Sequence, residues 1–135
     1  MKRTVITFFI GFTLLGCADK KAQEKALLDD VIKVHDKVMM ADEQVMKNKM
    51  QLDTLIQHAD ARVKDSAAYY SKLLNTADDA MSNWMHKFNP AQTGKSHDEI
   101  MTYFDTQKKQ VMAIDSQLTA AVTGSTKYLL KTKSK

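Results

Sequence analysis

The sequence predicts an all-α fold, an antiparallel three-helix bundle with coiled-coil-like heptad seams that follows a cleaved lipoprotein signal. Two observations lead to this prediction. Apolar residues recur at alternating spacings of three and four along most of the chain, which keeps them on one face of a helix. Helix breakers are rare, because the 135 residues include only 4 glycines and 1 proline. Long helices in a chain of about one domain's length indicate a single bundle over residues 26–132.

The first sixteen residues have the features of an export signal. Lys2 and Arg3 supply a positively charged start, and an apolar run follows from Val5 to Leu15. A membrane-spanning helix needs about 20 apolar residues, so this run is too short to be one. We therefore expect residues 1–16 to be a signal peptide that is removed on export.

The segment that follows predicts a lipid anchor. Residues 14–17, Leu-Leu-Gly-Cys, resemble the bacterial lipobox, in which the cysteine thiol takes a diacylglycerol thioether. Cys17 is the only cysteine, so it has no internal disulfide partner; the alternative is a cysteine inside a signal that is cleaved elsewhere. We expect lipidated Cys17 to attach the protein to a membrane of the bacterial cell envelope, with residues 17–25 as a tether; the alternative for residues 18–25 is the frayed start of a helix. Because Ala18 rather than aspartate follows Cys17, we expect the outer membrane, facing the periplasm.

The first helix is predicted over residues 26–58. Its seam residues are Leu27, Val31, Val34, Val38, Ala41, Val45, Asn48, Leu52, Leu55 and Ala59. Residues 58–62 hold neither glycine nor proline, so a turn near Asp60 and one continuous helix are both open. A turn lets one chain bury its own seam, and typical helix lengths favour it.

The second helix is predicted over residues 62–88 and the third over residues 97–130. Pro90 ends the second helix because proline cannot continue one, and Ser96 with Glu99 has the spacing of a capping box that opens the third. The seam of the second helix consists of Val63, Ala67, Tyr70, Leu74, Ala77, Met81, Trp84 and Phe88. The seam of the third consists of Ile100, Phe104, Gln107, Val111, Ile114, Leu118, Ala121, Ser125 and Tyr128.

Histidine and methionine are the most unusual part of the composition, and several fall where the first two helices would face each other. With a turn near residue 60, antiparallel partners have numbers that sum to about 120. This sets His35 opposite Met85 and Met39 opposite Met81, with His86 adjacent. Thioethers with an imidazole suit Cu(I) or Ag(I), so these five residues are candidate soft-metal ligands. The alternative is that the methionines fill an irregular core.

No other motif indicates a cofactor or a catalytic group. Covalent haem is excluded because Cys-x-x-Cys-His is absent, although haem b between a histidine and a methionine stays open. Ser96, His97 and Asp98 are consecutive, so their side chains diverge and cannot form a proton relay. Without Lys2 and Arg3 the net charge falls from +4 to +2, too little for a nucleic-acid-binding surface. We predict that the protein is not an enzyme and has no nucleic-acid partner.

Two sequence blocks carry a resemblance to a known group of proteins. Residues 35–39 (His-Asp-Lys-Val-Met) and residues 78–88 together resemble small uncharacterised lipoproteins of Bacteroidota-type bacteria, some of which carry the label "viral A-type inclusion protein". Members often have proline where Met40 stands here, and methionine and an acidic residue where Ser82 and Asn83 stand. The resemblance implies a helical envelope protein and transfers no catalytic residue. Without that proline, we expect the first helix to run on without a kink.

Together these features predict a lipid-anchored envelope protein that acts as a non-enzymatic interaction or structural module. Its expected partner is an unidentified envelope protein. The alternative is a periplasmic protein that binds Cu(I) or Ag(I) through methionine and histidine ligands. The sequence leaves the oligomeric state open, including a homo-oligomer.

The lipid anchor can be tested by the substitution Cys17→Ser. This variant should leave the membrane fraction or accumulate as the unprocessed precursor, because thioether-linked acyl chains are the only membrane attachment that the sequence predicts. Labelling cells with radioactive palmitate and comparing the membrane fractions measures the effect. Equal palmitate incorporation in the variant and the original protein would refute lipidation at Cys17.

Overall fold

A computed structural model describes residues 15–134 and confirms the all-α bundle. It contains four helices: α1 (Leu15–Met40), α2 (Asp42–His58), α3 (Ala61–Lys87) and α4 (His97–Lys133). No strand occurs among residues 15–134. Helices α1 and α2 follow each other as one limb, and α3 and α4 are the other two. Nearly all of the expected signal peptide, and the side chain of Cys17, lie outside the part that the structure describes.

The predicted seams form the core. Val31, Val38, Val45 and Leu52 recur every seven residues along the first limb and are almost fully buried. The other limbs contribute the buried residues Ala67, Leu74, Ala77, Met81, Trp84, Phe104, Val111, Ile114, Leu118, Ala121 and Leu129. Only Leu129 among these was absent from the predicted seams.

The prediction of one uninterrupted helix over residues 26–58 is wrong. The helix is interrupted at Ala41, whose N–H donates to the carbonyl of Val38 at 3.0 Å, three residues back instead of four. A regular pattern resumes at once, because the N–H of Val45 donates to the carbonyl of Ala41 at 3.0 Å. The interruption is therefore one tightened turn, and the seam residues on either side of it stay buried.

The first limb also begins earlier than expected. Residues 17–25, for which a tether and a helix start were both open, are helical in α1. Glu24 in this segment is packed against the start of α4, where its Oε1 lies 2.8 Å from Nδ1 of His97 and both side chains are mostly buried. This contact joins the first turns of α1 to the start of α4. The local sequence gave no reason to expect the contact.

A turn separates α2 from α3, as the favoured alternative predicted. Helix α2 ends at His58, and the N–H of Ala59 donates to the carbonyl of Leu55 at 3.0 Å. Asp60 then caps α3 by accepting a hydrogen bond from the N–H of Val63 at 3.1 Å. The turn contains neither glycine nor proline. The Asp60 side chain marks the start of α3 instead, because it accepts from an N–H group in the first turn that has no partner within the helix.

The connection from α3 to α4 contains the predicted capping box. The Ser96 hydroxyl accepts from the N–H of Glu99, and the Glu99 carboxylate accepts from the N–H of Ser96 at 2.9 Å. Hydrogen bonds from the backbone and hydroxyl of Ser96 lower the pKa of the Glu99 carboxyl. Gly94 has a φ of +79°, a left-handed conformation that glycine adopts without strain.

Helix α4 runs parallel to the first limb, and α3 runs antiparallel to both. Lys108 donates to Asp30 at 2.5 Å and Lys37 donates to Asp115 at 2.6 Å, so partners on α1 and α4 differ by 78 in number. The hydrogen bond and charge of Lys108 lower the pKa of the Asp30 carboxyl. The two pairs lie one heptad apart with their charges reversed. A slip of one heptad would therefore bring like charges together.

Trp84 lies at the centre of an aromatic cluster near the α3–α4 connection. It is 6% exposed, which confirms the prediction that it is buried, and its ring stacks on Phe88 at a centroid distance of 4.8 Å. Tyr103 and Phe104 of α4 extend the cluster. Within residues 15–134, no acceptor bonds to Nε1 of Trp84, so the indole contributes through its apolar area.

Two substitutions at position 84 should therefore have very different effects. Trp84→Ala should lower the free energy of unfolding by about 3 to 5 kcal/mol, because it empties a large buried site. Trp84→Phe should cost less than about 1.5 kcal/mol, since it keeps the aromatic packing and leaves no partner unpaired. Urea unfolding followed by circular dichroism measures both. A Phe variant as unstable as the Ala variant would show that the indole N–H has an essential partner.

Candidate methionine site and exposed methionine surface

A small cavity lies beside the tightened turn at Ala41. It has a volume of about 180 Å³ and opens between the first limb and α3. Its lining includes Met39 from α1 and Met81 and Met85 from α3. The predicted antiparallel pairing set Met39 opposite Met81 and Met85 opposite His35, and the structure places the three methionines around one cavity. The remaining lining residues are Val38, Asp42, Val45, Asp78, Ser82 and Leu118.

The two candidate histidines do not line this cavity. The His35 ring lies 6.0 Å from the Trp84 ring, between centroids, and its Nδ1 lies 2.9 Å from Oδ1 of Asp36. His86 is exposed, and its Nδ1 lies 2.6 Å from the carbonyl oxygen of Ser82 on the same helix. His86 follows Met85 directly, so it points about 100° away around the helix. Residue spacing placed both histidines near the methionines, but packing against Trp84 and helix rotation turn their rings elsewhere.

The charged groups of the cavity are carboxylates, and Ser82 adds a hydroxyl. Asp78 accepts a hydrogen bond from Lys49 at 3.2 Å, while Asp42 lies in no ion pair among the described residues. Within residues 15–134, no group of three or more His, Cys, Asp or Glu side chains could hold a metal ion. The chemistry that this cavity offers is therefore three thioethers beside carboxylates. Thioethers favour soft monovalent ions, whereas carboxylates favour hard ones.

A surface that the sequence analysis missed extends from this cavity along the first limb. Ile32, Met39 and Met46 are large apolar side chains with exposed fractions of 38%, 41% and 50%. We call these three residues the methionine stripe. Each follows a buried seam residue by one position, and this regular offset was the signal in the sequence that could have revealed them.

A row of acidic residues borders the stripe. Asp29, Asp36 and Glu43 each precede a buried seam residue by two positions, which places them about 60° around the helix from the stripe. Asp29 is paired with Lys25, whereas Asp36 and Glu43 contact no lysine or arginine within the described residues. Asp36 and Glu43 thus border the stripe on one side and Asp42 on the other, where Lys49, one heptad after Asp42, is paired with Asp78.

Comparison with known proteins found no matching family model, no matching curated protein and no matching solved structure. Among the helices that the structure describes, none is long and apolar enough to cross a membrane.

Proposed function

We propose that this protein is a lipid-anchored helical-bundle module of the bacterial cell envelope, which binds another protein through the methionine stripe. The observation that carries the proposal is the stripe itself, three large apolar side chains at one heptad position that remain exposed on a folded bundle. Several large apolar side chains that stay exposed on one face of a folded domain are typical of an interaction surface. Membrane attachment through lipidated Cys17, on the periplasmic side of the outer membrane, is part of the proposal.

The bundle suits such a role because it presents the stripe at a distance from the proposed anchor. Ile32 lies fifteen residues after Cys17 in the same helix, which corresponds to about 22 Å. Three limbs with a continuous buried seam support the stripe from behind. A lipid at Cys17 would leave this face of the rod free to contact a partner. The proposed role is non-enzymatic and requires no cofactor.

The stripe can be tested in living cells with a photoreactive residue. Met46→benzoylphenylalanine in the full chain should give a discrete heavier product on illumination, because the side chain would lie inside the interface. Met112→benzoylphenylalanine is the matched control, since Met112 is 49% exposed but lies on α4, outside the stripe. Gel shift and mass spectrometry read out the products. The absence of a product at Met46, or the same product at both positions, would reject the proposal.

Soft-metal binding is a second candidate function, favoured by one specific observation. Met39, Met81 and Met85 come from two helices and line the same cavity. Three thioethers are a ligand set suited to Cu(I) or Ag(I). In this version of the hypothesis, His35 and His86 are not ligands, because their rings lie outside the cavity lining.

Thermal unfolding with Ag(I) tests this candidate. Ag(I) should raise the unfolding midpoint of the full chain by several degrees at concentrations well above the dissociation constant, because a ligand specific to the folded state stabilises it. The triple change Met39→Leu, Met81→Leu and Met85→Leu should remove the shift, while Met46→Leu with Met50→Leu should keep it. An unchanged midpoint with Ag(I), or an equal shift in the triple variant, would exclude the cavity as a metal site.

A further inference from the structure

We propose that the methionine stripe binds a cationic amphipathic helix of the partner protein. This inference rests on the proposed function, because it gives the chemistry of the partner at the same surface. It is carried by two observations, the heptad phase of the stripe and the acidic residues that surround it.

The seven-residue spacing of the stripe matches the spacing of contact residues along a partner α-helix. Val31, Val38 and Val45 are buried at intervals of seven, so the residues that follow each of them share one exposed face. The tightened turn at Ala41 does not disturb this phase, because the seam stays buried on both sides of it. From Ile32 to Met46 the stripe extends about 21 Å, which corresponds to about four turns of a partner helix. A helix that lies in an apolar groove uses side chains at the same heptad intervals.

The charges around the stripe favour a positively charged partner. Asp36 and Glu43 border it on one side and Asp42 on the other, and none of the three contacts a lysine or arginine within the described residues. Lys33 and Lys47 lie beyond the row that contains Asp36 and Glu43, farther from the stripe. Lys49 lies on the same border as Asp42, one heptad later, and is paired with Asp78 of α3. Lysine or arginine residues flanking the apolar face of a partner helix would meet these carboxylates. Complementary charge of this kind raises the association rate and excludes wrong partners.

The same charges disfavour the other possible occupants. In an antiparallel two-fold contact between two copies, the row with Asp36 and Glu43 would face its own equivalent, and like charges would repel. An anionic lipid surface would meet the same repulsion. Methionine also suits a helix partner, because its flexible thioether chain adapts to different apolar side chains.

A peptide-binding experiment tests the proposal on the full chain in nanodiscs of neutral phosphatidylcholine, with empty nanodiscs as the blank. The probe is a fluorescent peptide of about 18 residues with leucine at heptad a and d positions and lysine elsewhere. We expect it to bind at least about tenfold more tightly than a scrambled peptide of the same composition. A peptide with glutamate in place of lysine should bind at least about tenfold more weakly than the lysine peptide. Fluorescence anisotropy gives the dissociation constants.

Matched variants assign the binding to the stripe. The pair Met39→Gln and Met46→Gln should weaken lysine-peptide binding by about tenfold or more, whereas Met112→Gln should change it less than twofold. The pair Asp36→Asn and Glu43→Gln should weaken binding and reduce its dependence on salt, whereas Asp105→Asn on α4 should do neither. Circular dichroism confirms that each variant is folded. Equal binding of the lysine and glutamate peptides, or unchanged binding by the stripe pair, would overturn the proposal.

The result is separable from the test of the proposed function. A crosslinked partner at Met46 without lysine-peptide binding would leave the interaction module intact and refute only the cationic partner. A crosslinked product that is a second copy of this chain would overturn the cationic-helix proposal directly. Peptide binding lost in the stripe variants, together with a Met46 product from a different protein, would support both.

Discussion

The Asn48 side chain is 1% exposed and forms the one amide layer within the apolar seams of the described residues. Its Nδ2 donates to the hydroxyls of Ser125 and Thr126 at 2.8 Å, and its Oδ1 accepts from Gln44 at 2.7 Å. A buried amide without partners costs about 1 to 3 kcal/mol, so alignments of α2 and α4 that separate these groups are disfavoured. A single polar residue in a seam is a known way to specify register.

The alignment of the three limbs determines which residues remain at the surface. Once Asn48 meets Ser125, the reversed ion pairs of Asp30 with Lys108 and Lys37 with Asp115 fall into place on α1. On the first limb, the side that faces away from α4 is then partly in contact with α3 and partly exposed to solvent. The cavity and the methionine stripe both lie on that side of the first limb. The proposed interaction surface is therefore a consequence of the same heptad phase that builds the core.

Sequence reasoning succeeded where the signal was periodic or local. The seams, the capping box at Ser96 and the burial of Trp84 follow from spacing and side-chain chemistry over a few residues. The interruption at Ala41 has no local marker, and the helical start of α1 includes a contact with His97, seventy-three residues from Glu24. The methionines of the cavity followed from the predicted antiparallel pairing. The histidine orientations did not, because they depend on Trp84 and on rotation around α3.

Crosslinking between α1 and α4 tests the register that Asn48 and the two reversed ion pairs specify. In a Cys17→Ser background, Lys37→Cys with Asp115→Cys should be joined within one chain by a short bis-maleimide. Lys37→Cys with Lys108→Cys should not, because that pair lies one heptad, or about 10 Å, out of register. Mass spectrometry of the separated monomer gives the result. Crosslinking of the second pair in preference to the first, or crosslinking of the first pair only between chains, would contradict the alignment of α1 with α4 described above.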